Sequence, residues 1–317
     1  MTRPALRAAG LLVLAALLAT AASPPADWRF IEAVRRGDRH FAVGEYYAAL
    51  QAYTRAAALA PASQEVMLRM AEAHLARQEI GQAVYLLRRI YPHARGQRLR
   101  RVMEGLGQAA FLQGDREAAR RWWEIALQAG ESAPAHRGLA RLAEAEGEDA
   151  PAVQHWEALL ALSPDDSEAI CHLAWLSLAR PEGPDQDVLS RAASSNTPCA
   201  DAAGELLRVF SAPSPDAHVY AQAGILLFQR GELEFALRML ERAVSLEPAY
   251  AEAHAYRGAV LAELGRPASE ALQRALALDP ECLLAHYFLG RYHLRFGLGG
   301  PAREEFQIVL RLDPDNP

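Results

Sequence analysis

The sequence contains no lysine, and all 33 of its basic residues are arginine. Aromatic residues make up only 8% of the chain, and β-branched residues are sparse beside the many alanines and leucines. This composition favours helix over strand. The hydrophobic fraction of 51% is enough for a large core or for a long stack of helices. The composition therefore predicts an all-α protein.

The motifs that carry catalysis or bind a cofactor are also absent from the sequence. It contains no GxSxG, no glycine-rich phosphate loop after a strand, no CxxC and no CxxCH. Ten histidines are present, but no HExxH motif or carboxylate-rich cluster accompanies them. His286 and His293 share a helix face, where a packing role is sufficient to explain them. We therefore expect a protein without catalytic residues, cofactor or metal ion.

Three cysteines, Cys171, Cys199 and Cys282, leave two interpretations open. In an oxidising compartment one pair could form, and Cys171 with Cys199 is the favoured pair, which would leave Cys282 as an odd thiol. The alternative is that all three are small residues buried in helix packing. The sequence favours this alternative.

The first 22 residues have the composition of an export signal. Arg3 and Arg7 precede an unbroken apolar run from Gly10 to Leu18, and residues 19–21 (ATA) offer a cleavage site. The run is short for a transmembrane helix, and no cysteine near the cleavage site indicates a lipoprotein anchor. We expect cleaved export to the bacterial periplasm or the medium, with an uncleaved anchor as the alternative. Cleavage would remove two arginines and lower the formal net charge from −6 to −8, which argues against a nucleic-acid partner.

One segment, Ala217 to Tyr250, carries a pattern that recurs along the chain. Its apolar residues follow i, i+3 and i+4 spacing in two blocks, which predicts two amphipathic helices. Gly231 predicts a tight turn between them, and Pro248 predicts the end of the second helix. Gly224 and Ala236 lie where the two helices must touch. One such hairpin cannot bury its apolar face alone, so neighbours of the same kind are expected.

Six further segments repeat the pattern. Most have small residues at the helix crossing, a turn glycine and a terminal proline, and the segments are Asp27–Ser63, Gln64–Gln97, Arg100–Ser132, Ala133–Asp166, Ala251–Cys282 and Leu283–Asn316. In the second of them Gln78 replaces the turn glycine.

The pattern fails between residues 167 and 215. A first helix at Ser167–Ala179 is followed by the sequence PEGPDQ, which breaks the chain. Short helices are predicted at Asp187–Ser195 and Cys199–Phe210, and the sequence SAPSP after them resembles a linker. We interpret residues 181–215 as an irregular joint, which is either a degenerate repeat plus an extra helix or the connection between two subarrays.

These segments resemble tetratricopeptide repeats (TPRs). In the segment 217–250 the eight signature positions of that family fall on Tyr220, Ala223, Gly224, Leu227, Ala236, Leu240, Ala243 and Pro248. The resemblance implies an α-solenoid, a right-handed superhelix of antiparallel helix pairs. It divides the chain into a signal peptide (1–22), an N-terminal array of about five repeats (27–180), the joint (181–215) and a C-terminal array of three repeats (216–317).

Members of this family commonly bind proteins or peptides on the concave face that their first helices line. The resemblance implies that this face includes Phe111, Arg137, Arg141, Trp175, Ile225, Phe228, Tyr287 and Arg291, together with Glu72, Glu104 and Gln108. Members that hold the C-terminal carboxylate of a chaperone use a clamp of lysine and asparagine side chains. That clamp is missing, because the chain has no lysine and residues such as Asp38 and Glu72 occupy the matching asparagine positions.

A dense run of basic residues, RRIYPHARGQRLRR, occupies positions 88–101. Its arginines are Arg88, Arg89, Arg95, Arg98, Arg100 and Arg101. The run predicts either a site for an acidic ligand, such as an acidic protein, a polysaccharide or lipid headgroups, or a solvated loop between repeats. The sequence favours the solvated loop, since charged side chains are mostly exposed without further function.

We expect from the sequence a non-catalytic scaffold of the bacterial cell envelope that holds a protein or peptide partner. An accessory role in envelope assembly, or in polysaccharide or protein export, is the first alternative. The second alternative is an enzyme with its site near residues 181–215. The sequence does not identify the partner, because the repeat pattern specifies packing while the groove residues vary independently of it.

Overall fold

The computed structural model describes residues 26–180, 183–211 and 216–315. Seventeen α-helices and one short 3₁₀ helix form the regular structure in these ranges, which contain no β-strand. The prediction of an all-α helical repeat fold is therefore confirmed. The predicted signal peptide, residues 1–22, lies outside the described residues. None of the helices in the described ranges combines the length and the apolar composition needed to cross a membrane.

The chain forms two compact units, one ending at His155 and one beginning at Trp156. The first contains α1 (Ala26–Ala42), α2 (Tyr46–Leu59), α3 (Gln64–Ala76), α4 (Ile80–Ile90), the 3₁₀ helix (Tyr91–His93), α5 (Gly96–Leu112), α6 (Arg116–Gln128) and α7 (Ala133–Glu146). Helix α8 (Asp149–Leu162) contains the division between the units.

The second unit contains the remaining nine helices of the described ranges. They are α9 (Ser167–Leu178), α10 (Gln186–Ala193), α11 (Ala200–Val209), α12 (Ala217–Gln229), α13 (Leu233–Leu246), α14 (Ala251–Glu263), α15 (Ser269–Leu278), α16 (Leu283–Arg295) and α17 (Gly299–Leu312). The division between units lies upstream of residues 181–215, and the boundaries of the two predicted arrays stay a prediction.

Among the described residues, six helices begin at a side chain that caps their first turn. In each, an Asp or Ser oxygen accepts a hydrogen bond from the backbone N–H three residues later: Ser63 caps α3, Asp115 α6, Ser132 α7, Asp166 α9, Asp185 α10 and Asp216 α12. Each cap satisfies a backbone donor that the helix leaves unpaired and contributes about 1 kcal/mol. The sequence therefore sets where these helices begin by local interactions.

The turns inside the hairpins use the left-handed backbone conformation. Glycines take it with φ between +71° and +81° at the five predicted turn positions, Gly44, Gly114, Gly147, Gly231 and Gly297. Gln78 takes the corresponding position in the second hairpin with φ of +60°, and it is the one non-glycine residue with positive φ in the described ranges. A side chain in this conformation costs about 1–2 kcal/mol.

The two helices of a hairpin approach each other most closely at small residues. A Cβ atom built on Gly224 of α12 would lie 2.7 Å from Cγ of Leu240 on α13. The same atom would lie 3.2 Å from the backbone oxygen of Ala236, which is fully buried at this crossing. The prediction that Gly224 and Ala236 mark the contact between the helices is confirmed.

The buried apolar residues form a series of small cores. Each cluster draws mainly on three consecutive helices: α1–α3 around Tyr53, α3–α5 around Leu87, α5–α7 around Trp123 and α14–α16 around Leu272. A repeat protein requires this arrangement, because each hairpin contacts mainly its neighbours.

The irregular joint contains the two predicted short helices, α10 and α11. A disulfide joins Cys171 of α9 to Cys199, which directly precedes α11. The predicted pair therefore forms, and the favoured alternative, in which all three cysteines are only packing residues, is wrong for two of them. Cys282 remains a buried free thiol, and burial raises its pKa.

Candidate partner-binding site

The predicted groove residues divide between the two units. Six of them, Glu72, Glu104, Gln108, Phe111, Arg137 and Arg141, belong to the first unit, and the other five, from Trp175 to Arg291, belong to the second. Phe228, Tyr287 and Arg291 lie around one aromatic cluster, which also contains residues that the sequence did not indicate.

Trp175 is wrong as a groove residue. Its side chain is only 1% exposed, because the last turns of α9 are buried on every side. All five residues from Ala174 to Leu178 are buried. A helix that is apolar all round gives no periodic signal that separates a groove face from a core face.

Three rings surround Phe288 of α16. The ring centroids of Tyr256, Tyr287 and Phe228 lie 5.4, 5.5 and 6.5 Å from that of Phe288. Phe288 is buried, whereas the other three rings are half-buried. We call these four residues the aromatic cluster. Tilted and edge-to-face contacts of this kind stabilise aromatic groups beyond the area they bury, so the cluster offers solvent a rigid apolar surface.

Beside the aromatic cluster, α14 and α16 enclose a cavity of about 270 Å³. We call it the α14–α16 cleft, and it is lined by Ala259, Ala262, Glu263, Phe288, Arg291, Tyr292 and Arg295. The two alanines leave the space open. Phe288 and Tyr292 supply its apolar wall, and the two arginines supply positive charge.

Contacts with α14 hold both arginines in place. Arg291 donates from Nη2 to Oε1 of Glu263 at 2.9 Å, and its guanidinium carbon lies 5.9 Å from the ring centroid of Tyr287. Arg295 donates to the backbone carbonyl of Ala262. Glu263 neutralises only one of the two positive charges among the lining residues. The cleft can therefore receive an apolar side chain next to an acidic group, which guanidinium groups bind well.

Tyr256, Tyr292 and Arg295 were not among the residues that the sequence indicated. A signal was present on α16, because Phe288, Arg291, Tyr292 and Arg295 follow the i, i+3, i+4, i+7 spacing of one helix face. The space itself could not be predicted, because it depends on which alanines of α14 lie opposite that face.

Ile225 lines a different cavity from the one beside Phe228. This second cavity, of about 340 Å³, lies between α11 and α12 and is lined by Glu205, Arg208, Val209, Gln222, Ile225, Leu226 and Gln229. It adjoins the helix that replaces a regular repeat, and it has a single arginine and no aromatic ring among its lining residues. It is a less specific surface than the α14–α16 cleft.

In the first unit, ion pairs join α1, α3 and α5, each of which is the first helix of its hairpin. Arg69 donates to Oδ1 of Asp38 at 2.8 Å and also bonds to Glu65. Arg101 donates to Glu65 at 2.9 Å and to the two carboxylate oxygens of Glu72 at 2.8 and 3.0 Å. Glu72, a predicted groove residue, is therefore engaged with Arg101.

The ion-pair network shifts the pKa values of Glu65 and Glu72 in opposite directions. Burial raises the pKa of Glu72 above its ordinary value, against the attraction of Arg101. For Glu65 burial acts in the same upward direction, but hydrogen bonds and charges from Arg101 and Arg69 outweigh it and lower the pKa. These are the effects of a structural ion-pair network, in which desolvation and pairing compete.

The other predicted groove residues of the first unit range from half-buried to exposed. Glu104 accepts a hydrogen bond from Oγ of Ser132 at 2.7 Å. The ring of Phe111 is half-buried with its centroid 5.8 Å from that of Trp123. Arg137 is half-buried and Arg141 is exposed on α7.

Two histidines join neighbouring repeats by hydrogen bonds. His254 donates from Nε2 to the carbonyl of Pro248 at 3.1 Å, and His286 donates to the carbonyl of Pro280 at 3.0 Å. Both side chains are buried at the start of a first helix, six residues after the proline. They thus bond as well as pack, whereas the sequence indicated packing alone. Within the described ranges, no three His, Cys, Asp or Glu side chains form a group that could hold a metal ion.

The basic run at positions 88–101 separates into two groups. Arg98, Arg100 and Arg101 lie on α5, half-buried, and each approaches a glutamate: Glu65, Glu104 and the pair Glu65 and Glu72 respectively. Arg88, Arg89 and Arg95 are exposed. The run is therefore neither one continuous basic site nor one solvated loop.

A "Tetratricopeptide repeat" model matches residues 34–98 and 268–317, and a "TPR repeat" model matches residues 224–265. No curated protein matches the chain in sequence.

Three solved structures are similar to parts of this chain. YrrB, described as a TPR protein with an unusual peptide-binding site, is 17% identical over 74% of this chain and 96% of its own, with a TM-score of 0.33. A tetratricopeptide repeat protein from Parabacteroides merdae is 15% identical over 79% and 93%, with a TM-score of 0.37. MamA is 18% identical over 66% and 95%, with a TM-score of 0.29.

Proposed function

Because the chain is a tetratricopeptide repeat protein, we propose that it is a non-catalytic scaffold that binds a protein or peptide segment in the bacterial cell envelope. Repeat proteins of this kind present extended surfaces to macromolecular partners. The α14–α16 cleft and the aromatic cluster beside it form the surface that we assign to the partner.

The observation that supports this assignment is the juxtaposition of an aromatic wall and two oriented arginines around open space. Tyrosine and arginine are the residue types that dominate binding energy at protein interfaces. Arg291 and Arg295 are already held by α14, so binding would cost little side-chain ordering. The partner that fits is a segment with an aromatic or aliphatic side chain next to a carboxylate.

Two features support an envelope location. The first 22 residues have the composition of an export signal, and the disulfide between Cys171 and Cys199 is of a kind that persists in oxidising compartments. An exported scaffold of this kind would serve a step of envelope assembly or export.

The proposal is tested by comparing which proteins bind to wild-type and variant chains. The purified chain, the Arg291→Gln/Tyr292→Ala variant and an Arg303→Gln control are each incubated with cell-envelope extract, and bound proteins are quantified by mass spectrometry. Arg303 is exposed on α17 and does not line the cleft. Its replacement therefore removes one positive charge, as the cleft variant does, without changing the cleft.

We expect at least one protein to be retained by the wild type and the control and lost from the cleft variant. Equal retention by all three chains would show that the cleft is not the site. An Arg137→Glu/Arg141→Glu variant tests the first unit in the same assay. Loss of the partner in that variant alone would move the site to α7.

A further inference from the structure

The first half of the basic run, with Arg88, Arg89 and Arg95, carries positive charge that no carboxylate of the described residues neutralises. No Asp or Glu occurs between Glu79 and Glu104, although the whole chain has 39 acidic residues and a net charge of −6. Arg98, Arg100 and Arg101 approach carboxylates on other turns and helices. In contrast, neither Arg88 nor Arg89 has a carboxylate partner among the described residues.

These free arginines share a helix face with an exposed ring. Tyr85, Arg88 and Arg89 follow i, i+3 and i+4 spacing on α4, and all three are exposed, Tyr85 to 61%. Tyr91 follows in the 3₁₀ helix with 37% exposure, and Arg95 lies just beyond it. We call these five residues the α4 basic face.

Two of the five residues have their positions set by the fold. The ring of Tyr91 lies edge-on against Trp122 of α6, with centroids 5.5 Å apart. Arg95 donates from Nη1 to the carbonyls of Pro92, at 3.2 Å, and Ala94, at 2.6 Å. The remaining donors of its guanidinium are available to a ligand, as are those of Arg88 and Arg89.

We propose that the α4 basic face binds an acidic polysaccharide. Guanidinium groups pair with the carboxylates of such a polymer through two parallel hydrogen bonds. The faces of exposed tyrosine rings pack against the C–H groups of sugar rings. Tyr85 lies on the same face of α4 as Arg88 and Arg89, so one extended chain can pack on this ring while the two arginines meet its carboxylates. Tyr91 and Arg95 follow directly after the end of α4.

The composition of the face distinguishes this ligand from a membrane or a protein. Among residues 80–95 the exposed large hydrophobic side chains are the two tyrosines alone. A membrane-binding surface needs apolar side chains that enter the bilayer interface. A protein interface has a fully buried apolar core inside a polar rim. The α4 basic face has neither, whereas a hydrated polyanion requires neither.

The test is binding of the full purified chain to polygalacturonate, measured by isothermal titration calorimetry, with neutral dextran as a second ligand. We expect binding to polygalacturonate alone, and binding that weakens as NaCl rises from about 0.05 to about 0.3 M. The Arg88→Gln/Arg89→Gln variant should bind about tenfold or more weakly, because it loses two charge-assisted contacts. Tyr85→Ala should weaken binding at both salt concentrations.

The matched control is Arg35→Gln/Arg36→Gln, which removes another adjacent pair of exposed arginines, on α1. It should bind as the wild type does, and thermal melts should show that all variants are folded. If both double variants bound polygalacturonate equally weakly, net charge alone would explain the binding, and the proposal would be overturned. So would the absence of binding to polygalacturonate, or binding only to vesicles that contain phosphatidylglycerol. None of these outcomes bears on the α14–α16 cleft, which the capture experiment tests separately.

Discussion

The indole ring of Trp123 fills the space that a Cβ atom on Gly138 would occupy, since such an atom would lie 2.4 Å from Cε2 of the ring. A Cβ atom on Gly107 would lie 2.5 Å from Nε1 of the same indole. Trp123 on α6 is thus packed between glycines of α5 and α7, and its Nε1 donates to the carbonyl of Glu104 at 3.3 Å. This large buried side chain fits because both neighbouring helices lack side chains where it lies.

Replacement of Gly138 by alanine should destabilise the first unit. We expect Gly138→Ala to lower the free energy of unfolding by about 1–3 kcal/mol, because the added methyl group overlaps a buried ring that has no room to move. Urea denaturation measures the change. The control is Gly204→Ala on α11, where the nearest atom to the new methyl group is Cβ of Ala193 at 3.9 Å. That variant should be neutral or more stable by about 0.5–1 kcal/mol, since alanine favours helix. An equal loss in both variants would refute the steric account.

The strained turn residue Gln78 gives a prediction of opposite sign. Gln78→Gly should raise the free energy of unfolding by about 1 kcal/mol, because glycine adopts φ near +60° without a steric penalty. The matched change Gln51→Gly, at an exposed position inside α2, should cost about 1 kcal/mol. The same denaturation experiment compares the two. A loss of stability in Gln78→Gly would show that the side chain contributes more than the strain costs.

The disulfide should stabilise the irregular joint through the loop that it closes. Cys171 and Cys199 are 28 residues apart, and closing a loop of this length contributes about 3–4 kcal/mol through chain entropy. Dithiothreitol should therefore lower the melting temperature of the wild type. It should leave that of Cys171→Ala/Cys199→Ala, which starts lower, unchanged. A wild-type melting temperature that does not respond to reductant would contradict the prediction.

Mild acid should destabilise the protein through His155. Burial lowers the pKa of His155 below its ordinary value of 6.5, and the nearby His136 and Arg120 act in the same direction. Because the folded state binds the proton less well than the unfolded state, this contribution to stability is present above pH 6.5 and is lost as pH falls below it. The free energy of unfolding should thus decrease between about pH 7 and about pH 5.5.

The variant His155→Gln should reduce this pH dependence, and His93→Gln, at an exposed position, should not. Part of the dependence should remain, since burial lowers the pKa of His254 as well. An unchanged pH profile in His155→Gln would exclude His155 as a source of the acid sensitivity.

The repeat positions could be predicted because each depends on residues close together in sequence. Gly231 and Pro248 mark a turn and a helix end by their own backbone restrictions, so the hairpin 217–250 followed from the sequence. The site could be predicted only in part. Phe228, Tyr287 and Arg291 follow from the helix face they occupy, but the cleft depends on the alanines of a neighbouring helix. Which arginines of the basic run are paired depends on glutamates up to 36 residues away in sequence, as the pair Arg101 and Glu65 shows.

The central claim, that the α14–α16 cleft binds a peptide segment, is tested most directly with a selected ligand. Peptides chosen from a displayed random library on the purified chain are synthesised, and their dissociation constants are measured for the wild type, Arg291→Gln/Tyr292→Ala and Arg303→Gln. We predict selected peptides with an acidic residue beside an aromatic or aliphatic one, a loss of affinity of about tenfold or more in the cleft variant, and none in the control. Selected peptides that bind the cleft variant as tightly as the wild type would contradict the claim.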